Sequence, residues 1–187
     1  MGHERPKRPQ RRSTSIAPHV LAFDKSLWKR AARLRHSPHM NAAFRISPLR
    51  DLPSGIDELR AEAAVEGFRF MDTLVIEWRS GANRFARPGE AFLGAFQIAE
   101  LIAVGGLNRD PYADQEGIGR LRHIFVRRSA RCSGVGSALV HQLLRHADGV
   151  FRSVRLRTET REAADFYVSL GFHAVEDESA THVRNST

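Results

Sequence analysis

A single cysteine, Cys132, in 187 residues rules out any disulfide within the chain and fits a reducing compartment, so a cytoplasmic location is the expectation. No apolar run reaches membrane length. The longest, Ala91 to Leu107, is interrupted by Gln97 and Glu100 and contains glycines, which makes it two strands and not a membrane span. Neither G-x-x-x-x-G-K-[ST] nor G-x-G-x-x-G occurs, so the P-loop and dinucleotide readings both fall. The nine histidines show no paired ligand spacing, and no metal site is expected. Without a G-x-S-x-G elbow, Ser133 and Ser137 read as loop and helix-cap donors, not nucleophiles. Repeats are absent as well.

The chain does carry charge, with a net of +8, but unevenly. Residues 1–45 hold eleven Lys/Arg against Glu4 and Asp24, a net of +9, and the remaining 18 basic and 19 acidic residues sum to −1. A near-neutral body argues against a broad nucleic-acid surface, while the basic arm would make weak contact with nucleic acid or an anionic membrane. Residues 1–40 read as a disordered, Pro- and Arg-rich extension with too little apolar surface to offset ordering entropy. Within it, residues 24–35 place Leu27, Trp28, Ala31 and Leu34 at helical spacing opposite a basic face. Such a segment also resembles a transit peptide, and an alternative reading starts the protein at Met40.

Residues 41–187 read as one mixed α/β domain. Phe44-Arg45-Ile46 is a first strand. Helical patterns follow from Ile56 to Val65, with Leu59, Ala63 and Ala64 inward, and from Phe70 to Trp78, with Phe70, Leu74, Val75 and Trp78 as the stripe. Ala91 to Gln97 and Leu101 to Leu107 form a hairpin, and Asn108 to Gly119 a polar loop. Val154 to Thr158 is a strand, Thr160 caps a helix with Ala163, Phe166 and Leu170 inward, and Phe172 to Val175 and Thr181 to Val183 are short last strands.

The chemistry is concentrated in Leu121 to Leu144, LRHIFVRRSARCSGVGSALVHQLL. An alternating strand places Leu121, His123 and Phe125 on one side and Arg122, Ile124 and Val126 on the other. It runs through Arg131-Cys132-Ser133-Gly134-Val135-Gly136 into a helix striped by Leu139, Val140, Leu143 and Leu144. Backbone N–H groups bared by glycine at a helix start suit phosphate, although a tight strand-to-helix turn needs no ligand. Arg131, Gly134 and Gly136 resemble the (Arg/Gln)-x-x-Gly-x-(Gly/Ala) acyl-CoA signature of the GNAT superfamily of N-acetyltransferases. Ala163 to Phe172, AADFYVSLGF, resembles that family's second hallmark, A-x-x-x-Tyr-x-x-x-Gly-Phe.

The resemblance implies the GNAT fold, a central mixed sheet flanked by helices, and acetyl-CoA as acyl donor. It implies that amides from Cys132 through Val135 to Ser137 hold the pyrophosphate, with Arg131 beside them. The edge of Ile124, Phe125 and Val126 would pair with the pantetheine arm, and the Val126 N–H would polarise the thioester. Thr160 and Phe166 would flank the cofactor, and Tyr167 would protonate the leaving thiolate, unless it merely packs beside Phe166. Two departures stand out. Thr160 occupies a place where the family usually carries asparagine, and Arg120 stands where many relatives carry the glutamate base. His123 is the substitute candidate, since imidazole titrates near neutrality, although strand histidines are often structural. Glu100, Asp110 and Glu116 read as solvated loop acids, and Arg120 and Arg122 as surface arginines unless they face an anionic acceptor. The implied partner is a small-molecule or peptide amine, with a homodimer allowed for. The competing reading is a non-catalytic acyl-CoA-binding module with a basic interaction tail.

Overall fold

The computed structural model describes residues 43–186, so the expectations for the N-terminal extension lie outside the described residues. Strand β1 (Phe44–Pro48) is followed by helices α1 (Ile56–Val65) and α2 (Phe70–Ser80). The hairpin β2 (Ala91–Gln97) and β3 (Glu100–Arg109) leads to β4 (Ile118–Val126), a short 3-10 turn (Arg128–Ala130) and α3 (Val135–Ala147). The chain then runs through β5 (Ser153–Leu156), α4 (Arg161–Ser169), β6 (His173–Ala174) and β7 (His182–Asn185). The strands form a seven-stranded sheet in the order β1-β2-β3-β4-β5-β7-β6. Its parallel pair is β4 and β5, joined by the α3 crossover, and the other pairs are antiparallel.

Helices cover both faces, which is why β2 and β3 read as nearly unbroken apolar runs. One core joins Leu139, Val140 and Leu143 of α3 to Leu93, Ala103, Leu107 and Leu121 of the sheet. The other joins Leu59, Met71, Leu74 and Trp78 of α1 and α2 to Phe92, Val104 and Phe125. Ala64, expected inward, is exposed, and Ile56 takes that place on α1. The expected loop from Asn108 to Gly119 is shorter, because Asn108 and Arg109 extend β3 and Ile118 and Gly119 begin β4. Among the described residues, no helix is long and apolar enough to cross a membrane.

Candidate active site

β4 is the strand on which the site is built, and it is irregular in the middle. Arg122 lies opposite Gly106 and Phe125 opposite Val104, so His123 and Ile124 together face Gly105. Two residues against one make a β-bulge, and His123 absorbs it with a φ of 56°. The close approach needs glycine on β3, since a Cβ on Gly106 would collide with the Phe85 ring and one on Gly105 with the Ile124 side chain. The extra residue corrects the expected alternation. Arg122, His123 and Phe125 all face α1 and α2, while Leu121, Ile124 and Val126 face α3.

β4 pairs with β5 only from Ile118 to Arg120, and beyond that the two strands part. The Arg127 N–H donates to the Ile102 carbonyl of β3 at 2.8 Å, so alternation turns the N–H and C=O of Val126 away from β3 and into the gap. Those of Ile124 point the same way. The result is a strand edge inside the sheet that no other strand pairs, with Arg131 on the Val126 carbonyl.

At the end of that edge stands the loop. Gly134 adopts a φ of 86° as the N-cap of α3, which has no side-chain cap and no acidic residue in its first turn. Among the described residues, none of the amide N–H groups from Cys132 to Ser137 has a backbone or side-chain acceptor. Exposed Cys132 has a φ of 59°, and the Ser133 hydroxyl donates to the Ala130 carbonyl at 2.6 Å. Unmet N–H groups at the positive end of a helix form an anion site. A Cβ on Gly134 would meet nothing within 4 Å, so the space above the loop is open. A Cβ on Gly136 would lie 3.5 Å from both Phe166 and Val126, so the α3 start, the β4 end and α4 converge there.

Arg131 takes a different direction from the loop amides. Its guanidinium pairs with Glu66 at 2.7 Å, donates from Nε to the Val126 carbonyl at 2.9 Å and lies over the Phe125 ring. Glu62 accepts the Arg128 N–H at 2.6 Å. Two carboxylates, Glu62 of α1 and Glu66 at its C-cap, thereby hold the loop.

On the α3 side, Tyr167 is the buried residue of α4, edge-on to Phe166 at 5.1 Å and to Phe172 at 5.7 Å. Burial pushes its hydroxyl well above the usual phenol range, so it stays protonated. Thr160 caps α4 by accepting the Ala163 N–H at 3.2 Å.

His123 occupies the opposite face of β4 from Tyr167. Its Nδ1 donates to the Phe70 carbonyl at 2.8 Å, leaving Nε2 as a lone pair that is buried without a hydrogen-bond partner. Glu77 Oε2 is 3.9 Å from that nitrogen. Glu77 also accepts from Arg122 at 2.9 Å and from Asn83 at 3.3 Å, and Asn83 exchanges hydrogen bonds with Asn108. These contacts hold the Glu77 carboxyl below its ordinary value against the opposing effect of burial. Burial, and next the Arg122 charge, lowers His123 from 6.5 to about 4, with Glu77 opposing. The fold therefore prefers the neutral ring, and the unfolded chain binds the extra proton as pH falls. Stability is expected to drop by roughly 3 kcal/mol in total between about pH 6.5 and about pH 4 through this group. Urea unfolding at a series of pH values should show that limb flattened in His123→Asn.

Other expectations are corrected by long-range pairing. Asp110, read as a solvated loop acid, has a fully buried side chain lying 3.2 Å from Arg120 and 3.5 Å from Arg155. Arg120 is buried in turn, donating to the Ser179 carbonyl at 2.6 Å and lying over the Tyr112 ring. Arg122 is mostly buried against Glu77. Glu100 and Glu116 are exposed, as expected, the former paired with Arg127. Glu77 carried no motif; its signal was an acid at the i+7 position from Phe70 on the apolar stripe of α2.

A mixed sheet whose parallel pair splays beside an uncapped loop-to-helix turn has the acyl-CoA N-acyltransferase fold. Residues 88–174 match the model of the acetyltransferase (GNAT) domain family. A candidate acetyltransferase from Exiguobacterium sp. 255-15 superposes with a TM-score of 0.69 at 28% identity, over 76% of this chain and 93% of its own. A GNAT-family acetyltransferase from Staphylococcus aureus Mu50 gives 0.61 at 16% identity, over 78% of this chain and 100% of its own, a likeness of fold alone. No curated protein matches the sequence. Over these residues the chain resembles the GNAT acetyltransferase family in sequence and in fold.

Proposed function

We propose that this domain moves an acetyl group from acetyl-CoA to an amine held beside it in one ternary complex. The observation that carries the reading is the continuity of two rows of unmet N–H groups, on the edge of β4 that no strand pairs and in the loop at the start of α3. An extended arm laid along Ile124 to Val126 would add a strand to that edge, and its pyrophosphate would then meet the amides from Cys132 to Ser137. The N–H of Val126 would polarise the thioester carbonyl. Tyr167, kept protonated by burial, would donate to the sulfur as charge develops there. Phe166 would pack beside the arm where it passes Gly136. Thr160, whose hydroxyl caps α4, would flank the arm through its methyl group. Holding the amine and thioester together supplies most of the rate, by proximity.

The binding-only alternative draws on Arg120, which stands at the family's usual base position and is committed to Asp110. A thiol-release assay with acetyl-CoA over amines, polyamines, amino acids and peptide N-termini separates the two. The enzyme reading expects amine-dependent release of free CoA. Tight acetyl-CoA binding with no release above background for any amine would leave the binding module.

A further inference from the structure

The site as described lacks a proton acceptor for the amine, which is an ammonium at neutral pH. Helices pack on both faces of β4. On the α3 face lies the apolar core that includes Leu139, Leu143 and Tyr167. On the α1–α2 face, beside the bulge, stand Glu77, His123 and Arg122. Glu77 and His123 put two proton acceptors on this second face.

Two of their atoms are both acceptors and face each other. His123 Nε2 has no partner, and the His123 side chain is 3% exposed. Glu77 Oε2 is 3.9 Å away on a side chain that is 24% exposed. An orphaned ring nitrogen in a buried position costs stability that an apolar residue of like shape would not. The gap is about 1 Å longer than a hydrogen bond, which a proton between the two atoms would close.

We propose that Glu77 receives the acceptor's ammonium and relays its proton to solvent, the carboxyl formed on the way donating to His123 Nε2, in place of the glutamate missing at Arg120. This rests on the acetyltransferase reading above. The ammonium loses one proton to the Glu77 carboxylate, and the carboxylic acid so formed donates a hydrogen bond from Oε2 to the neutral ring at Nε2. The freed nitrogen lone pair attacks the thioester carbon, the C–S bond breaks, and the thiolate takes the Tyr167 proton. The second proton on the new amide nitrogen passes to the Tyr167 oxygen, and Glu77, whose side chain is partly exposed, releases its proton to solvent. Arg122 fixes the carboxylate from the side, and the Nδ1 bond to Phe70 fixes the ring. The relay fits an alkylamine, which must lose a proton to react, and is dispensable for hydroxylamine, which is largely neutral at pH 7.

The test uses Glu77→Gln and His123→Asn. Glutamine keeps an acceptor for Arg122 and can donate to Nε2, at the cost of the oxygen that accepts from Asn83; asparagine keeps a donor for the Phe70 carbonyl and tolerates the positive φ. Thiol release from acetyl-CoA is followed with the best alkylamine of the panel and with hydroxylamine. Each variant should lose about 10²-fold or more in kcat/KM for the alkylamine, and much less for hydroxylamine. The alkylamine deficit should narrow as pH rises and free amine accumulates. Glu77→Gln should melt lower than the parent, because Arg122 loses its charge partner, so the contrast between the two amines and not stability carries the test. Alkylamine rates within roughly threefold of the parent in both variants overturn the relay. So do equal losses with both amines, which would mark a structural role. A parent protein that binds acetyl-CoA yet releases no thiol with either amine defeats the acetyltransferase reading itself, and the relay with it.

Discussion

Acetyl-CoA titrated calorimetrically into a folded Gly134→Glu variant is expected to bind at least ~10²-fold more weakly than to the parent. Like charges brought together at a binding surface cost several kcal/mol, and about 1.4 kcal/mol is one tenfold step. The glutamate would stand over the bared amides from Cys132 to Ser137, in space that is open above Gly134. It therefore meets the phosphates and not the protein. Left-handed backbone at Gly134 makes any side chain there costly by about 1–2 kcal/mol, so melting a few degrees lower is expected as well. Gly134→Ala carries that strain without the charge and isolates it. Unchanged affinity in the glutamate variant would remove the loop from the site.

Replacing Tyr167 by Phe should lower kcat by around 10²-fold with little change in the KM for acetyl-CoA, the pattern of an interaction made mainly in the transition state. The low end of the general-acid range applies because a CoA thiolate leaves readily. The ring stays, and with it the edge-on packing against Phe166 and Phe172, so the melting temperature should hold. Rate and melting must be measured on one preparation. A fall in both would return Tyr167 to a packing role, and full activity would leave the thiolate to solvent.

Much of this was open to reading from residue pattern alone. The stripe from Ile56 to Val65 predicts helix α1 at the bounds observed, the interruption at Gln97 and Glu100 marks the hairpin, and Thr160 caps α4 as expected. Those signals are local, carried by residues within a turn or two of each other. The bulge at His123 was hidden because its causes lie elsewhere. Gly105 and Gly106 on β3 and the Phe70 carbonyl on α2 make the extra residue tolerable, and a single inserted residue reverses the faces downstream. Asp110 deceived for the same reason, since its partners Arg120 and Arg155 come from two later strands. Glu77 belongs with these: an acid on a helix stripe has no meaning until Arg122, Asn83 and His123 surround it.

A strand with unmet amides is ordinarily a hazard, because a second molecule can pair with it and begin a fibre. Here the outer strands of the sheet are β1 and β6, and the open stretch of β4 lies between neighbours. The three paired residues from Ile118 to Arg120 close one end of the opening like the rivet of a pair of scissors. A slender chain can slide between the blades, but a pleated strand with side chains on both faces meets helices above and below. By keeping its vacant edge inside the sheet, the protein can hold it ready for a guest without offering it to copies of itself.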